Sequence, residues 1–239
     1  MATKSKAGGG SAKERVAAMR AAEKRKERLR WLLTFSVVLV IVAALVGGAF
    51  WAIQKSDEDK KKKAEKANAA RLAEGPPKGG SWALPADPVA AAEKLGLEVK
   101  GGMEEGSAKH EHSHLSIFIN GQPVAVPANL GIDTLSGHIA ELHTHDARGV
   151  IHVEAFQSKP FYLDQVFKIW EVPLSASEIG LLKTDATHTL KFYVDGKEVT
   201  EDPSKIELTA HREIGVVYGT AADNAKVKVP ASFQFDNGE

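Results

Sequence analysis

The stretch HSHLSIFINGQPVAV, residues 112–126, decides the fold class of the C-terminal half of this chain. From Leu115 to Ile119 every second residue is aliphatic, which is the period of a β-strand with one buried face. Asn120-Gly121 follows, a dipeptide that favours the two-residue type I′ turn of a β-hairpin. The stretch therefore predicts a hairpin whose first strand turns Leu115 and Ile119 toward the core.

The rest of the C-terminal half carries similar strand signals and a few short helical ones. Strands are predicted in GVIHVEA (149–155), HTLKFYVDGKEV (188–199, a second hairpin around Asp195-Gly196), KIELTA (205–210) and REIGVVYG (212–219). Short helices are predicted in DPVAAAEKL (87–95), FYLDQVFKIW (161–170) and SASEIGLL (175–182). The predicted fold class is α+β, a mainly antiparallel β domain with short helices.

Residues 31–53 (WLLTFSVVLVIVAALVGGAFWAI) carry no charged side chain. As a helix rising ~1.5 Å per residue, this segment is long enough to cross the ~30 Å hydrocarbon core of a bilayer. Trp31 and Trp51 lie at its ends, where aromatic residues sit at membrane interfaces. A cleaved signal peptide would have a shorter apolar stretch and small residues at its cleavage site. The segment is therefore predicted to be a transmembrane signal-anchor helix.

The segments around this helix differ in composition. Residues 1–30 are predicted to be a basic cytoplasmic tail, and residues 54–81 a charged helical stalk with a Pro/Gly linker that begins at Gly75. Residues 82–239 are predicted to form an extracytoplasmic, His-rich and β-rich domain. Basic residues are similarly frequent on both sides of the apolar helix, so the orientation rests on the large C-terminal part, the only candidate for a translocated domain. A single-pass protein of the cell membrane is expected, with its N-terminus in the cytoplasm.

The formal net charge of zero hides an asymmetry between the two parts of the chain. Residues 1–71 contain 17 Lys and Arg against 7 Asp and Glu, whereas residues 72–239 contain 14 against 24. A basic segment beside an apolar helix suits the anionic headgroups of a lipid bilayer, which is the expected partner. The acidic domain lacks the basic face that nucleic-acid binding needs, so no nucleic-acid partner is expected.

The chain has no cysteine, and only Met103 of its three methionines lies in the predicted domain. Disulfides, a Cys nucleophile, iron–sulfur clusters, thiolate zinc sites and blue-copper centres are therefore excluded. Any metal site must use histidine, carboxylate or carbonyl ligands.

Histidine is the unusual residue type of the domain, and six of the nine histidines fall in three short segments. These are KHEHSHL with His110, His112 and His114, LHTHD with His143, His145 and Asp146, and IHVE with His152 and Glu154. Residues at positions i and i+2 of a strand point to the same face, so each segment presents these side chains together. The imidazoles are expected opposite the apolar face that carries Leu115 and Ile151.

The coincidence of these segments predicts one divalent metal ion, copper or zinc. The ion is expected to be bound by a subset of His112, His114, His143, His145 and His152, with Asp146 or Glu154 accepting the second ring N–H of a ligand. All-imidazole sites suit Cu(II) and Zn(II). The isolated His138, His188 and His211 are expected to be ordinary hydrogen-bonded residues. Taken alone, HEHSH is as compatible with a solvated polar tract before a strand as it is with a metal-binding segment.

The favoured function is a membrane-anchored, extracytoplasmic metal-binding module for Cu(II) or Zn(II). One alternative is a non-enzymatic, partner-binding ectodomain or accessory subunit of a membrane complex. A second is a metal-dependent enzyme with Asp146 or Glu154 as general base. The sequence has no G-x-S-x-G elbow, phosphate-binding loop, H-E-x-x-H motif or dinucleotide fingerprint, which favours a non-enzyme.

The histidine motifs and their surroundings resemble an uncharacterised bacterial family of secreted or membrane-anchored His-rich proteins. The likeness lies in HSHLSIFINGQPVAVPANLGI, LHTHDARGVIHVEA, FYLDQVFKIWEVPLS and the late FYVDGKEV, and it covers roughly residues 85–235. It is most specific at the HxHL (112–115), LHTHD (142–146) and IHVE (151–154) motifs. His110 lies outside the pattern, and residues 136–139 depart from it where a more aromatic segment is expected. The resemblance implies no activity, so it supports the choice of candidate residues.

Overall fold

The computed structural model describes residues 12–76, 80–101 and 105–239. The expectations for the first eleven residues of the tail, for residues 77–79 of the linker and for Met103 lie outside these ranges. The chain divides into two compact units, Met1–Lys63 and Ala64–Glu239. The second unit begins before the boundary at residue 82 that composition suggested, because it includes the last turns of the first helix.

Helix α1 (Ala12–Glu74) contains the whole apolar segment. Among the described residues it is the one helix long and apolar enough to cross a membrane, with a stretch of mean hydropathy 2.6. Every side chain from Trp31 to Ile53 is exposed, so the apolar surface extends all round the helix, as lipid contact requires. The structure therefore confirms a helix that is long and apolar enough to be a membrane span. The helix ends directly before Gly75, which has a φ of 64°, as the Gly-Pro stop signal predicts.

The second unit combines short helices with many strands. Its helices are α2 (Ala90–Lys94), α3 (Leu163–Ile169) and α4 (Ala221–Asn224), with a 3-10 turn at Pro203–Lys205. Its strands are β1 (Val99–Lys100), β2 (Lys109–Ile119), β3 (Gln122–Val124), β4 (Ile132–Asp133), β5 (His138–Ala140), β6 (Leu142–His143), β7 (Val150–Ala155), β8 (Leu174–Ser175), β9 (Glu178–Ile179), β10 (Leu182–Lys183), β11 (His188–Val194), β12 (Lys197–Val199) and β13 (Glu213–Thr220). The α+β class expected from the sequence is confirmed.

The central sheet contains seven strands in the order β12-β11-β13-β2-β7-β6, with β3 as a further partner of β2. Its pairings are antiparallel except for that of β13 with β2, which is parallel. The two long partners of β2 pair with different parts of it. Lys109–His114 pairs with β7, and His114–Ile119 pairs with β13. Two small antiparallel sheets, β1-β5-β4 and β10-β9-β8, are separate from it. β2 is thus the strand that connects the two halves of the central sheet.

Both predicted hairpin turns are present. Asn120 and Gly121 have φ angles of 51° and 75° between β2 and β3. Asp195 and Gly196 have φ angles of 49° and 75° between β11 and β12. Type I′ turns require a positive φ at both central residues, which Asn, Asp and Gly adopt at the lowest cost.

Two local predictions are wrong. Residues 175–182 form a small meander of strands instead of a helix. The chain turns at Gly180, which has a φ of 62° and lies so close to Trp82 that an added Cβ would be 2.9 Å from Cζ2 of the indole. Residues 205–210 make a single bridge, between Tyr162 and Glu207, where a strand was expected.

One apolar cluster joins the central sheet to α3. It contains Leu115, Ile117, Ile119, Ile151 and Val153 from the sheet and Leu163, Val166, Phe167 and Ile169 from the helix. The expected inward direction of the aliphatic residues of β2 and β7 is therefore confirmed. The predicted helix in residues 161–170 is also confirmed, and its apolar face is ordinary core.

The last turns of α1 belong to this core as well. Leu72 is buried in the apolar cluster. The Arg71 guanidinium donates hydrogen bonds from Nη2 to the carbonyl oxygens of Trp170, at 3.1 Å, and Glu171, at 2.9 Å. A fragment that begins at Ser81, next to the boundary at residue 82 that composition suggested, would lack both side chains.

We expect a fragment that begins at Ala64 to be more stable than one that begins at Ser81. The shorter fragment leaves the space of Leu72 empty, and removing a large buried aliphatic side chain lowers the free energy of unfolding by about 2–5 kcal/mol. Urea denaturation of both fragments measures the difference. Leu72→Ala in the longer fragment should reproduce much of the loss, whereas Lys66→Ala, at an exposed position of the same helix, should not. Equal stability of the two fragments would contradict this expectation.

Candidate metal centre

Three neighbouring strands bring three histidines into one transverse row. His112 of β2 lies opposite His152 of β7, and His152 lies opposite His143 of β6. Opposite residues of antiparallel strands point to the same face, and adjacent strands lie only about 4.8 Å apart. The three imidazoles therefore meet over β7. All three are buried, with 4%, 8% and 1% of the residue exposed for His112, His152 and His143.

His145 and Glu154 complete a group of donors around His143 and His152. Glu154 lies two residues after His152 on β7, and its Oε1 is 2.9 Å from Nδ1 of His152. His145 follows β6, and its Nε2 is 3.2 Å from Nε2 of His143. One donor atom from each of His143, His145, His152 and Glu154 lies within 4.8 Å of the other three. We call these four residues the primary set; it could hold a metal ion.

A backbone hydrogen bond fixes the protonation of His143. Its Nδ1 lies 2.8 Å from the carbonyl oxygen of Ala140, which only accepts, so Nδ1 carries the hydrogen. Burial lowers the pKa of His143 to about 3, so the ring is neutral and Nε2 is an unprotonated lone pair. That lone pair faces Nε2 of His145 and lies 3.9 Å from Oε1 of Glu154. A neutral imidazole oriented by a backbone carbonyl is the form in which histidine binds metals.

His152 has an electron-rich atom on each side of its Nδ1. His112 Nε2 lies 3.0 Å away and Glu154 Oε1 lies 2.9 Å away. If Nδ1 carries the hydrogen, it can donate well to only one of these two atoms. If Nε2 of His112 carries it instead, that N–H donates to Nδ1, and the lone pair of Nδ1 also faces the carboxylate. Hydrogen bonds within this group of three atoms therefore leave one of the two contacts of Nδ1 without a hydrogen.

Glu154 is the negative charge within this group. Burial by itself raises the pKa of its carboxyl group, but the neighbouring imidazoles of His112, His152 and His143 outweigh burial and hold the pKa well below its usual value. The carboxylate is therefore ionised although only 3% of the residue is exposed. Its Oε2 is buried and has no hydrogen-bond partner in the part of the chain that the structure describes. An ionised, incompletely satisfied carboxylate attracts a cation.

Two neighbours of the group were not among the candidates expected from the sequence. His110 lies opposite Glu154 in the pairing of β2 with β7, and its Nε2 is 3.6 Å from Oε1 of Glu154. Glu105 places its Oε1 3.9 Å from Nε2 of His145. Burial and the neighbouring Glu154 carboxylate raise the pKa of Glu105. The alternation of KHEHSHL contained the signal for His110, whereas no local pattern marks Glu105.

The structure does not bring His114 into the group. Its Nδ1 lies 2.6 Å from Oε2 of Glu213, its Nε2 lies 2.8 Å from the carbonyl oxygen of Arg148, and its ring stacks on Phe233. Both ring nitrogens are engaged with oxygen acceptors, so neither is available to an ion. The cause lies in its neighbours: the parallel pairing with β13 sets His114 beside Glu213, and its partner on β7 is the apolar Val150.

Asp146 also differs from its expected role as an acceptor for a ring N–H. Its Oδ1 accepts a hydrogen bond from the backbone N–H of Arg148 at 2.8 Å, and its Oδ2 accepts one from Nε of Arg148 at 2.7 Å. The same guanidinium also pairs with Asp236 and Glu239 near the C-terminus. Asp146 therefore shapes the loop that carries His145, while Glu154 lies among the imidazoles themselves.

The three isolated histidines are hydrogen-bonded outside this region. The contacts join His138 Nδ1 to Ser136 Oγ at 2.7 Å, His188 Nδ1 to Asp185 at 3.1 Å and His211 Nε2 to the carbonyl oxygen of Glu239 at 3.1 Å. The expectation that they are ordinary hydrogen-bonded residues is consistent with these contacts.

Comparisons of the chain with protein-family models, with curated proteins and with solved structures find no match. The resemblance to a bacterial His-rich family therefore stays a prediction, and the donor geometry is the observation that bears on function.

We expect Arg148→Ala to loosen the loop between His143 and Arg148. The substitution removes the ion pairs with Asp146, Asp236 and Glu239, which tie this loop to the C-terminal residues. Because exposed ion pairs contribute little each, the free energy of unfolding should fall only slightly. Hydrogen exchange should instead become faster at amides 143–148 and at the last residues of the chain. Lys226→Ala, which removes only the exposed pair with Asp223, is the matched control; identical exchange in the two variants would contradict this role of Arg148.

Proposed function

We propose that this chain is a single-pass membrane protein whose C-terminal domain lies outside the cytoplasm and binds a divalent metal ion, Cu(II) or Zn(II). The observation that carries the proposal is the primary set, three imidazole nitrogens and one carboxylate oxygen within 4.8 Å of one another. The exposed apolar segment of α1 supports the membrane anchor. The lipid bilayer is the partner that this segment would contact.

The spacing of the donors resembles that of ligands around one ion. Ligands at ~2.0–2.1 Å from a tetrahedral Zn(II) lie about 3.3 Å from one another. In the primary set, Nε2 of His143 lies 3.2 Å from Nε2 of His145 and 3.9 Å from Oε1 of Glu154. Nδ1 of His152 lies 2.9 Å from the same carboxylate oxygen. Small side-chain adjustments would be enough to coordinate an ion.

The types of donor favour Cu(II) or Zn(II). Imidazole suits both ions, and a carboxylate is a common fourth ligand of zinc. Cu(I) prefers thiolate and thioether sulfur, and the chain has no cysteine. The charge of Glu154 would offset one of the two positive charges of the ion, which reduces the cost of burying it.

A binding role is favoured over catalysis by the number of donors. Structural and storage-type zinc sites use four protein ligands, whereas catalytic sites use three and leave a position open for water. The primary set supplies four. The domain would then hold an ion for delivery, uptake or sensing at the outer face of the membrane.

The full-length chain in detergent micelles is expected to bind Zn(II) or Cu(II) with a dissociation constant below about 1 μM, measured by isothermal titration calorimetry and elemental analysis. An ion that binds only the folded state should also raise the melting temperature. At a free-ion concentration one hundred times the dissociation constant, it adds about 2.7 kcal/mol to the free energy of unfolding. His143→Ala, His145→Ala and Glu154→Gln each remove a donor and should weaken binding at least tenfold. His188→Ala removes an imidazole outside the site and should bind like the parent.

Circular dichroism of each variant distinguishes a lost ligand from a lost fold. His145 is the most informative position, because 41% of its side chain is exposed and its truncation leaves the core intact. No binding by the parent at micromolar concentrations, or unchanged binding by folded His145→Ala, would argue against a metal site and favour the partner-binding alternative.

We expect protease added to intact spheroplasts to digest the C-terminal domain and to spare the tail before residue 31. The long C-terminal segment is the part that translocation would carry across, since long segments cross largely regardless of their charge. Immunoblots of chains tagged at either end follow the two fragments, and permeabilised cells, in which both tags are lost, are the control. Loss of the N-terminal tag alone from intact spheroplasts would show the opposite orientation.

A further inference from the structure

A second set of donors adjoins the primary set. One donor atom from each of His110, His112 and Glu154 lies within 4.8 Å of the other two. Oε1 of Glu154 is 3.6 Å from Nε2 of His110 and 3.8 Å from Nε2 of His112. A four-coordinate ion in the primary set uses neither of these histidines.

The two sets approach β7 from opposite edges. His110 and His112 belong to β2, which pairs with one edge of β7, and His143 belongs to β6, which pairs with the other. Since adjacent strands lie about 4.8 Å apart, the backbones of β2 and β6 are separated by roughly 9–10 Å. An ion in the primary set lies toward β6 and leaves the imidazoles of β2 on the far side of His152.

Glu154 has the atoms to serve both sets. Its Oε1 lies within 3.9 Å of one ring nitrogen from each of four imidazoles, those of His110, His112, His143 and His152, so members of both sets approach this oxygen. Its Oε2 is buried without a hydrogen-bond partner among the described residues. A carboxylate that bridges two ions coordinates one ion with each oxygen, so the bridge would also engage Oε2.

We propose that the domain binds two divalent cations, the second held by His110 and His112, with the Glu154 carboxylate bridging the two ions. This inference rests on the proposed function, because the bridge requires an ion in the primary set. Paired ions in two-metal sites lie about 3.5–4 Å apart, a separation that the width of three strands accommodates. Half of the His110 side chain is exposed, at 50%, so the second ion contacts solvent and exchanges more readily than the buried first one.

The test is the stoichiometry of the full-length chain in detergent micelles, loaded with Zn(II) or Cu(II) and freed of excess metal by gel filtration. The parent should retain two ions per chain and His110→Ala one, because His110 is half exposed and its truncation leaves the core intact. His138→Ala, at an exposed histidine outside both sets, should retain two. In the Cu(II)-loaded parent the paired ions should couple magnetically, so that electron paramagnetic resonance detects less spin than the copper content, and His110→Ala should restore the full signal.

The outcomes separate this inference from the proposed function. One ion per chain in both the parent and His110→Ala leaves the proposed function intact and overturns the second site. Two ions with the full, uncoupled copper signal would place the second ion elsewhere and also overturn it. No bound ion in the parent overturns both.

Discussion

The pairing of β7 with a strand on each side is the interaction on which the site depends. It sets His112, His152 and His143 in one row across three strands. Gly149, directly before β7, allows the close approach of this strand to β2: its φ is 93°, and an added Cβ would lie 2.5 Å from the carbonyl oxygen of Leu115. A slip by one residue would turn His152 and Glu154 into the apolar core, since the side-chain period of a strand is two.

The two faces of β7 make opposite contributions to stability. Ile151 and Val153 are 1% and 0% exposed in the apolar cluster, and full burial of such a side chain contributes about 1.5–3 kcal/mol. On the other face, Glu154 is buried with an Oε2 that has no hydrogen-bond partner among the described residues, which is unfavourable. The apolar face thus stabilises a strand whose polar face departs from the usual rule that buried polar groups are paired. Departures of this kind are expected at functional sites.

Sequence periodicity could predict the strands and the side on which the histidines lie, because both depend on neighbours two residues apart. It predicted the inward direction of Leu115 and Ile151, while the Asn-Gly and Asp-Gly dipeptides predicted the hairpin turns. Periodicity could not tell which side chain lies opposite each histidine, so it could not separate His112, opposite His152, from His114, opposite Val150 and Glu213. Glu105 was missed for a similar reason, since its approach to His145 depends on chain path rather than on spacing.

The position of Glu154 decides how much it costs to bury a divalent cation in this site. A cluster of neutral imidazoles supplies ligands but no negative charge, and burying a divalent cation among neutral ligands alone carries a large desolvation penalty. A carboxylate on a loop could offset that penalty only by ordering its segment when the ion arrives. Glu154 is instead held on a strand that is paired at both edges, with its charge maintained by the surrounding imidazoles. The negative charge that a buried cation needs is therefore in place on a paired strand before an ion binds.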